Sequence, residues 1–290
     1  MKKYTDIKTA VIGGSGIYNI EAAEVLDEIN INTPFGKPSD LITVCSIEGK
    51  KIAFLPRHGR GHFLLPGELP VRANIWALKS LGVQKIIAVS AVGSLKEEIA
   101  PCDFVMPDQI IDRTHGREST FFGSGIVGHI SFAEPFCSCL RSNLLTTLKN
   151  KSSVKIHERG IYVCMQGPAF STRAESLLHK NWGASVIGMT ALPEAKLARE
   201  AEMCYALIAM STDYDCWKEE EKGVTLEMVI RHMNANVAEI KNILPALIKN
   251  IPEDHNCACT HAARDAIFTD RKKISGAVRK RLDLLYGKYL

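Results

Sequence analysis

The sequence predicts an α/β protein with a largely parallel sheet. Short apolar runs, typical of strands buried on both faces, alternate along the chain with helical stretches. Such alternation indicates a fold in which crossover helices join parallel strands. The chain has 290 residues, 46% of them hydrophobic, so it can bury one large core in a single domain.

The apolar runs give the strands of this predicted sheet, and no internal repeat or low-complexity linker interrupts them. The predicted strands cover residues 10–12, 41–47, 52–55, 85–91, 103–106, 161–164, 184–187 and 204–210. The last run is apolar from Tyr205 to Met210, which predicts a strand in the middle of the sheet.

Helices are predicted between these strands, at residues 71–81, 140–149, 172–181, 193–202 and 226–250. Thr172 and Glu175 have the spacing of a capping box, and Gly82 stands where a helix ends. Pro193 suits the first turn of a helix, whereas Pro245 is expected to kink or end the last one.

The C-terminal residues differ in character from the rest. Residues 251–290 are basic and helical in pattern, with one apolar stripe formed by Ile274, Val278, Leu282 and Leu285. We predict a catalytic domain over residues 1–250 and a helical tail that docks on it or contacts another subunit.

Charge and cysteine content indicate the setting in which the protein works. There are 36 basic and 32 acidic residues, a balance that does not suggest a nucleic-acid or membrane partner. The N-terminal residues lack an apolar signal core, and no stretch approaches 18 apolar residues. Nine scattered cysteines fit a reducing compartment better than a disulfide framework, so we expect a cytoplasmic protein.

A glycine-rich loop, Gly13-Gly14-Ser15-Gly16, follows the first predicted strand. Its amides and the Ser15 hydroxyl can form a nest for phosphate. A dinucleotide fingerprint is incomplete here, because Asn19 stands where a third small residue belongs. A phosphate site, a tight turn and a dinucleotide site remain open for this loop.

The segment after the third predicted strand is rich in arginine and histidine. Arg57 can offer a planar fork to phosphate oxygens, and His58 adds a donor whose charge follows pH. The alternative is a solvated basic loop that also contains Arg60 and His62. A zinc site at His58 and His62 is disfavoured, since the intervening glycines oppose a helix.

Two other strand ends carry groups that can bind an anion or a sugar. Ser90 and Ala91 end the strand that starts at residue 85, and Thr190 follows the strand at 184–187. Met189 offers a soft apolar surface beside them. Ligands of open α/β sheets bind at carboxyl ends of strands, so these residues are candidates for one site.

Asp213 and Asp215 follow the apolar run of the last strand. In an extended segment, residues two apart point the same way, so both carboxylates can face one ligand edge. A pair of acceptors, one of them protonated, suits adenine, with its ring nitrogen beside an exocyclic amine. The alternative is an Asp-rich turn with a solvated Asp213 and a helix cap at Asp215. Tyr214, between them, is counted among the substrate-binding residues.

Ligand-capable residues alternate in the tail from His255 through Cys257 and Cys259 to His261. In a straight strand the outer two would lie roughly 20 Å apart, too far to share one ion. A turn that gathers three metal ligands, a redox pair of cysteines, and packed or solvated residues all remain open.

Several segments together resemble the methylthioadenosine phosphorylases of the trimeric purine nucleoside phosphorylase family. They are GGSG (13–16), NTPFGKPS (32–39), ANIWALK (73–79), GPAFSTRAES (167–176), GMT (188–190) and STDYDCW (211–217). The resemblance covers residues 9 to 250. It implies a single domain with a central mixed sheet flanked by helices. It also implies an active site at a subunit boundary of a homotrimer or a dimer of trimers.

The resemblance also implies a role for each candidate residue. Phosphate would be bound by Ser15, Arg57, His58, Ser90, Ala91 and Thr190. Met189 would contact the ribose and Phe170 the purine, with Asp213 at N7 and Asp215 at the 6-amino group. Ser171 and Leu226 match specificity positions, and His129 of a neighbouring subunit would help close the 5′ pocket.

Two features depart from the family pattern. Ala169 stands where arginine is expected in the Gly-Pro-x-Phe motif. The tail after Asn250 does not match the shorter members of the family, so no role carries over to it.

The function that this resemblance implies is reversible, phosphate-dependent cleavage of methylthioadenosine to adenine and 5-methylthioribose 1-phosphate, a reaction of purine and methionine salvage. Such a pentosyltransferase uses phosphate as co-substrate and needs no metal or organic cofactor. His58 would act at the phosphate. Asp213, with its pKa raised by burial and by Asp215, would protonate the leaving purine.

Three alternatives remain at this point. A broader phosphorylase would act on adenosine or on 6-oxopurine nucleosides. An enzyme for 6-oxopurine nucleosides would prefer an amide side chain at the position of Asp213. A nicotinamide dehydrogenase would use the glycine loop. A non-catalytic purine- or RNA-binding module would use the basic tail.

Overall fold

The computed structural model describes residues 4–14, 16, 23–218, 226–254 and 256–290, without the side chain of Leu226. Within these ranges the strands form one sheet of eleven strands. They are β1 (Thr9–Gly13), β2 (Glu24–Ile29), β3 (Ile42–Ile47), β4 (Lys50–Pro56), β5 (Lys85–Ser94), β6 (Phe104–Val105), β7 (Gln109–Arg113), β8 (Ile156–His157), β9 (Ile161–Met165), β10 (Val186–Gly188) and β11 (Cys204–Asp213).

The helices lie on both faces of this sheet. They are α1 (Val71–Ser80), α2 (Ser138–Lys151), α3 (Arg173–Asn181), α4 (Ala191–Glu200), α5 (Leu226–Asn250) and α6 (Gly276–Tyr286). No helix within the described ranges is long and apolar enough to cross a membrane.

The sheet is mixed, as the family resemblance implies. Its strand order is β2-β3-β4-β1-β5-β10-β9-β7, and β11 pairs with both β5 and β6. The centre is parallel, because β1, β4, β5 and β11 run the same way. Antiparallel pairs arise where β10 meets β5 and where β3 and β4 form a hairpin. Alternation along the sequence alone predicts a more uniformly parallel sheet.

The β3–β4 hairpin explains part of this difference. Its two connecting residues, Glu48 and Gly49, both have positive φ, at 51° and 75°. Two consecutive positive φ angles are the mark of a tight hairpin turn that matches strand twist. Such a turn joins neighbouring strands without a helix, so the chain must run back antiparallel.

All strands predicted from apolar runs are present, and three further strands were missed. β2 has the sequence EVLDEI and lies at the sheet edge, mostly exposed. β7 is only partly buried, and β8 has two residues. Exposed edge strands and very short strands carry no apolar run, so the hydrophobic pattern does not reveal them.

The predicted helices are also present, and their signals are largely confirmed. Thr172 caps α3: its hydroxyl accepts from Glu175 N at 3.2 Å, and Glu175 Oε2 accepts from Thr172 N at 2.8 Å. Gly82 has φ +90°, and a Cβ there would stand 2.2 Å from Thr5 O. Of the two expectations for Pro245, a kink or a helix end, the second is wrong, since α5 continues past it to Asn250.

The core has two layers, one on each face of the sheet. Tyr205 and Leu207 of β11 pack in the layer that contains α1 and α4, and Ala206 and Ile208 pack against α2 and α5. This alternation confirms a strand buried on both faces. In the tail, the apolar stripe of α6 packs into the first layer, at Val278, Leu282, Leu285 and Tyr286.

Candidate active site

A cavity of about 1070 Å³ lies at the carboxyl ends of β4, β5 and β11. Its size suits a small-molecule ligand, for which pockets of roughly 300–1,000 Å³ are usual. Helix α5 contributes Val229, Met233 and Val237 to its wall. The cavity brings together most of the predicted site residues: Arg57, His58, Ser90, Ala91, Phe170, Ser171, Met189, Thr190, Asp213, Tyr214 and Asp215.

Two hydroxyl groups from distant parts of the chain meet in this cavity. Ser90 Oγ, in β5, lies 3.0 Å from Thr190 Oγ1, and both residues are buried. Thr190 is the N-cap of α4, but its side chain makes no capping hydrogen bond. Leu192, two residues on, has non-helical dihedral angles (φ −117°, ψ 142°), so regular helix begins only after it and the two hydroxyls are the groups that favour an anion here.

Arg57 borders the cavity, but its guanidinium differs from the sequence expectation. Nε and Nη2 donate to the two carboxylate oxygens of Glu194 at 2.9 and 3.0 Å, and Nη1 donates to Val89 O at 2.9 Å. The bidentate fork that was predicted for phosphate is thus occupied by Glu194. The reason is burial, because Arg57 and Glu194 are 2% and 1% exposed and an unpaired charge there is costly.

Glu194 also keeps Arg57 charged. Burial lowers the pKa of Arg57, but the charge of Glu194 and its hydrogen bonds outweigh burial and raise that pKa. Tyr205 OH donates to Glu194 Oε1 at 2.8 Å, which ties the pair to β11. Nη2 also donates to Ile12 O at 3.4 Å, so Arg57 brings a fixed positive charge to the cavity edge with at most one N–H, on Nη1, still available.

His58 follows Arg57 and stacks on His62 with ring centroids 4.2 Å apart. Its Nδ1 lies 2.8 Å from Leu64 O, and since a carbonyl only accepts, Nδ1 carries the proton. The pKa of His58 is lowered to about 4, mainly by burial. The hydrogen bond to Leu64 O acts in the opposite direction, and the charges of Arg57 and His62 lower the pKa further. The ring is neutral near pH 7, so Nε2 is an acceptor rather than the predicted donor.

Asp213 and Asp215 lie in a turn, and both line the cavity. β11 ends at Asp213, and Asp215 has a φ of 50°, in the left-handed region. Asp215 N donates to Asp213 Oδ1 at 2.7 Å, and Thr212 Oγ1 donates to Asp213 Oδ2 at 2.6 Å. Both carboxylates therefore line the cavity, and a turn after Asp213 rather than an extended segment brings them together.

The pKa of Asp215 is raised above its usual range. Burial is the largest cause of the rise. The hydroxyl of Ser176 lowers the pKa, and the negative charge of Asp213 raises it further. Asp215 Oδ2 is buried without a hydrogen-bond partner among the described residues. Asp213, the proton donor of the sequence expectation, accepts the two hydrogen bonds described above.

Gly93 gives this acidic turn its space. It pairs with Asp213 across β5 and β11, next to a bulge in the register. A Cβ on Gly93 would stand 3.1 Å from Asp213 Oδ1 and 3.3 Å from Asp215 Cβ, closer than an ordinary contact. The absence of a side chain therefore lets the two carboxylates approach the strand.

Four sequence expectations are not tested by the cavity of this chain. Ser15 lies outside the described residues, and so does the side chain of Leu226 at the start of α5. His129 is exposed and does not line this chain's cavity; its ring lies 5.1 Å from Phe268. Ala169 is exposed and also lies off the cavity wall.

Arg117 is a further residue that the sequence patterns did not identify. Its guanidinium uses five hydrogen bonds to hold the loops that follow β9 and β10. The acceptors are Gln166 Oε1 (3.1 Å) and the carbonyl oxygens of Met165 (3.3 Å), Gln166 (2.6 Å), Met189 (2.7 Å) and Leu192 (2.7 Å). Neither Arg117 nor Glu194 lies in a motif, and their roles depend on contacts between segments far apart in sequence.

Comparison with known proteins gives consistent results. Residues 8–249 match the family model of the phosphorylase superfamily. S-methyl-5′-thioadenosine phosphorylase of Geobacter sulfurreducens is 50% identical over 97% of this chain and 98% of its own. The enzyme of that name from Thermosynechococcus vestitus is 49% identical, over 98% of this chain and 99% of its own. These matches extend into the tail.

Solved structures agree with the sequence comparisons. A methylthioadenosine phosphorylase from an antarctic soil metagenomic library superposes with a TM-score of 0.92 at 42% identity, covering 97% of this chain and 99% of that one. Methylthioadenosine phosphorylase from Schistosoma mansoni in complex with adenine gives a TM-score of 0.82 at 38% identity, covering 89% of this chain and 99% of that one.

Proposed function

This chain belongs to the phosphorylase superfamily, and we propose that it catalyses the phosphate-dependent, reversible cleavage of S-methyl-5′-thioadenosine to adenine and 5-methylthioribose 1-phosphate. The observation that carries the proposal is one cavity that holds both an anion-binding group and an acidic pair. The anion-binding group consists of the hydroxyls of Ser90 and Thr190, and the acidic pair consists of Asp213 and Asp215.

Phosphate binding is supported by the hydroxyls of Ser90 and Thr190 and by the fixed charge of Arg57, with Ala91 beside them. We propose that His58 Nε2 accepts a hydrogen bond from a protonated phosphate oxygen, because the neutral ring has no donor on that atom. Ser15 stays a predicted member of this group. The arrangement holds phosphate without neutralising it, which keeps an oxygen nucleophilic.

The reaction that this geometry supports is displacement at the sugar. A phosphate oxygen forms a bond to C1′ while the bond from C1′ to N9 breaks, and the bonding electrons leave with the purine. Positive charge develops on the sugar and is stabilised by the phosphate. The purine must take up a proton at N7, and general acid catalysis of this kind contributes typically about 10²–10⁴-fold.

Asp213 and Asp215 are proposed to supply that proton and to recognise the base. Burial and the negative charge of Asp213 raise the pKa of Asp215, which favours the sharing of a proton between the two carboxyls. Asp213 is assigned to N7 and Asp215 to the 6-amino group, whose N–H would satisfy the unpartnered Oδ2. Phe170, 81% exposed at the cavity wall, is assigned to the purine face, and Tyr214 lines the same cavity.

The remaining contacts concern the sugar. Met189 lines the cavity and is assigned to the ribose. Val229, Met233 and Val237 of α5 supply an apolar wall that suits a methylthio group, and Leu226 and Ser171 stay predicted specificity residues. An apolar pocket of this type favours added hydrophobic bulk by roughly 1–3 kcal/mol.

The setting of the enzyme is also part of the proposal. We propose a homotrimer or a dimer of trimers, in which His129 completes the site of a neighbouring subunit. Residues 1–250 form the catalytic domain, and residues 251–290 form a tail docked on it. We propose that phosphate is the co-substrate and that the reaction needs no resident cofactor. We also propose that the enzyme works in the cytoplasm.

Turnover with and without phosphate tests the proposal directly. Methylthioadenosine, adenosine and inosine are each supplied to the enzyme in phosphate buffer and in a phosphate-free buffer. We expect cleavage of methylthioadenosine only with phosphate, with a phosphorylated sugar as product and little turnover of inosine. Equal rates without phosphate would identify a hydrolase, and faster turnover of inosine would identify a 6-oxopurine enzyme.

A further inference from the structure

Four cysteines from three parts of the chain converge at the end of β11 opposite the cavity. They are Cys137, Cys204, Cys257 and Cys259, and their Sγ atoms all lie within 4.8 Å of one another. Cys204 begins β11 and Asp213 ends it. A strand rises about 3.3 Å per residue, so this cluster lies roughly 30 Å along the strand from the acidic pair.

From this convergence we propose that the four thiolates form a structural metal site that binds one zinc ion. A closed set of four cysteines is a donor set that zinc occupies in proteins, in tetrahedral geometry. Three of the four cysteines are buried and Cys257 is half-buried, so the site is closed to solvent and leaves no position for a substrate.

The spacing of the sulfur atoms fits this ion. Zinc–sulfur bonds of about 2.3 Å place tetrahedral sulfurs about 3.8 Å apart. Cys137 Sγ lies 3.9 Å from Cys257 Sγ, whereas Cys204 Sγ lies 3.1 Å from Cys137 Sγ and 3.2 Å from Cys257 Sγ. An ion at the centre would require Cys204 to relax outward by less than about 1 Å, and Cys259 Sγ lies within 4.8 Å of the other three sulfurs.

A disulfide explains the arrangement less well. A sulfur–sulfur bond is about 2.05 Å long, so even the shortest of these distances would have to contract by about 1 Å. A disulfide also joins only two sulfurs, and nothing in it requires two further cysteines to converge on the same point. None of the nine cysteines forms a disulfide bond in the structure.

The surroundings support negative charge on the cluster. Cys137 is the N-cap of α2, and its sulfur accepts from Leu140 N at 3.4 Å. Lys85 lies opposite Cys204 on the neighbouring strand and is 5% exposed. Its Nζ donates to Pro252 O at 2.6 Å and to Glu253 O at 3.2 Å, which holds the segment leading to Cys257.

The proposed site would fasten the tail to the sheet. Cys137 and Cys204 belong to the body of the domain, while Cys257 and Cys259 begin the tail. Zinc binding displaces the thiol protons to solvent, so occupancy depends on pH and contributes to the stability of the fold. This role is separate from the reaction, which takes place at the other end of β11.

Metal analysis of the full-length enzyme tests the proposal. The protein is purified under reducing conditions, reconstituted with zinc, dialysed, and analysed for zinc and iron per chain. We expect one zinc per chain in the wild type, and in Cys139→Ser, which removes an exposed cysteine outside the cluster. We expect loss of that zinc in Cys257→Ser and in Cys204→Ser, with faster proteolysis of the tail.

A cobalt substitution and a thiol count complete the test. Cobalt in the wild type should give the charge-transfer absorption of four thiolates, and Cys257→Ser should lose it even if Cys204→Ser fails to fold. The proposal is overturned if the reconstituted wild type binds no zinc and nine thiols titrate in denaturant with a chelator. Fewer than nine thiols in that titration would show a disulfide and overturn it as well, and iron in place of zinc would overturn the choice of ion.

Discussion

At the scale of single residues, the acidic turn at the end of β11 is the part of the site that distinguishes bases. Asp213 has both oxygens engaged within the turn, and Asp215 retains a buried oxygen without a partner among the described residues. A buried acceptor without a donor costs about 1–3 kcal/mol, so a ligand that offers an N–H there gains that much. The 6-amino group of adenine is such a donor, whereas a 6-oxo group is not.

Asparagine substitutions separate the roles of the two carboxylates. Asp213→Asn removes the proton carrier at N7, and kcat for methylthioadenosine should fall by about 10²–10⁴-fold. Asp215→Asn presents a donor to the 6-position, so the ratio of kcat/KM for methylthioadenosine over methylthioinosine should fall by about 10- to 100-fold. Asp283→Asn, on the exposed face of α6, is the control. An unchanged ratio in Asp215→Asn would remove this residue from recognition of the 6-position.

His58 gives the fold a pH dependence whose sign follows from its lowered pKa. The unfolded chain binds the His58 proton below about pH 6.5, and the folded chain binds it only near pH 4. Between these values the unfolded state holds more protons, so the free energy of unfolding decreases as pH falls. Above about 6.5 the contribution of His58 is constant.

We expect the difference in free energy of unfolding between the wild type and His58→Gln to depend on pH only below about 6.5. From there to pH 4 the wild type should lose up to about 3 kcal/mol relative to the variant, because each pKa unit corresponds to about 1.36 kcal/mol. Urea unfolding of both proteins across this range measures the effect. Parallel curves would mean that His58 titrates normally in the folded enzyme.

At the scale of elements, the loops that follow β9 and β10 depend on a single side chain. Arg117 holds both loops through five hydrogen bonds, four of them to carbonyl oxygens. One of those carbonyls belongs to Met189, which lines the cavity. A planar guanidinium can reach this many acceptors at once, and an ammonium group cannot.

Arg117→Lys is therefore expected to loosen the sugar-binding side of the cavity. We predict an increase of about tenfold or more in KM for the nucleoside, with a smaller change in KM for phosphate, since Ser90 and His58 are held independently. Arg113→Lys, which alters an exposed arginine above Trp182, is the matched control. If both variants show the same modest loss, Arg117 does not position the site.

At the scale of the whole molecule, one predicted site residue lies away from the cavity of its own chain. His129 is exposed beside Phe268, which is itself 73% exposed, and Val127 next to them is 52% exposed. An exposed apolar group around a predicted site residue is consistent with a contact between subunits. The proposed trimer would place this surface at the cavity of a neighbour.

Phe268→Asp tests whether assembly and activity depend on that surface. The charge would have to be buried in a contact between subunits, so we expect a smaller mass by light scattering and a large loss of kcat/KM for methylthioadenosine. His129→Ala should keep the mass of the wild type and raise KM for the nucleoside. A fully active monomer, in the wild type or in Phe268→Asp, would contradict the proposed site at a subunit boundary.

Local patterns in the sequence determined the elements of this protein and its membership of a family. Apolar runs located the central strands, the Thr172–Glu175 capping box located α3, and the motif at 211–217 identified the acidic pair. Those signals are readable because they depend on neighbours within a few residues. Both the family and the α/β fold with a mixed sheet are confirmed by the comparisons.

Tertiary structure alone decided what these side chains do. Glu194 occupies the fork of Arg57 from 137 residues away, burial makes His58 a neutral acceptor, and burial raises the pKa of Asp215. The tertiary structure also brings together four cysteines from three parts of the chain. Partners of this kind, and the loss of solvent that shifts a pKa, arise only when distant segments pack together, so no local pattern records them.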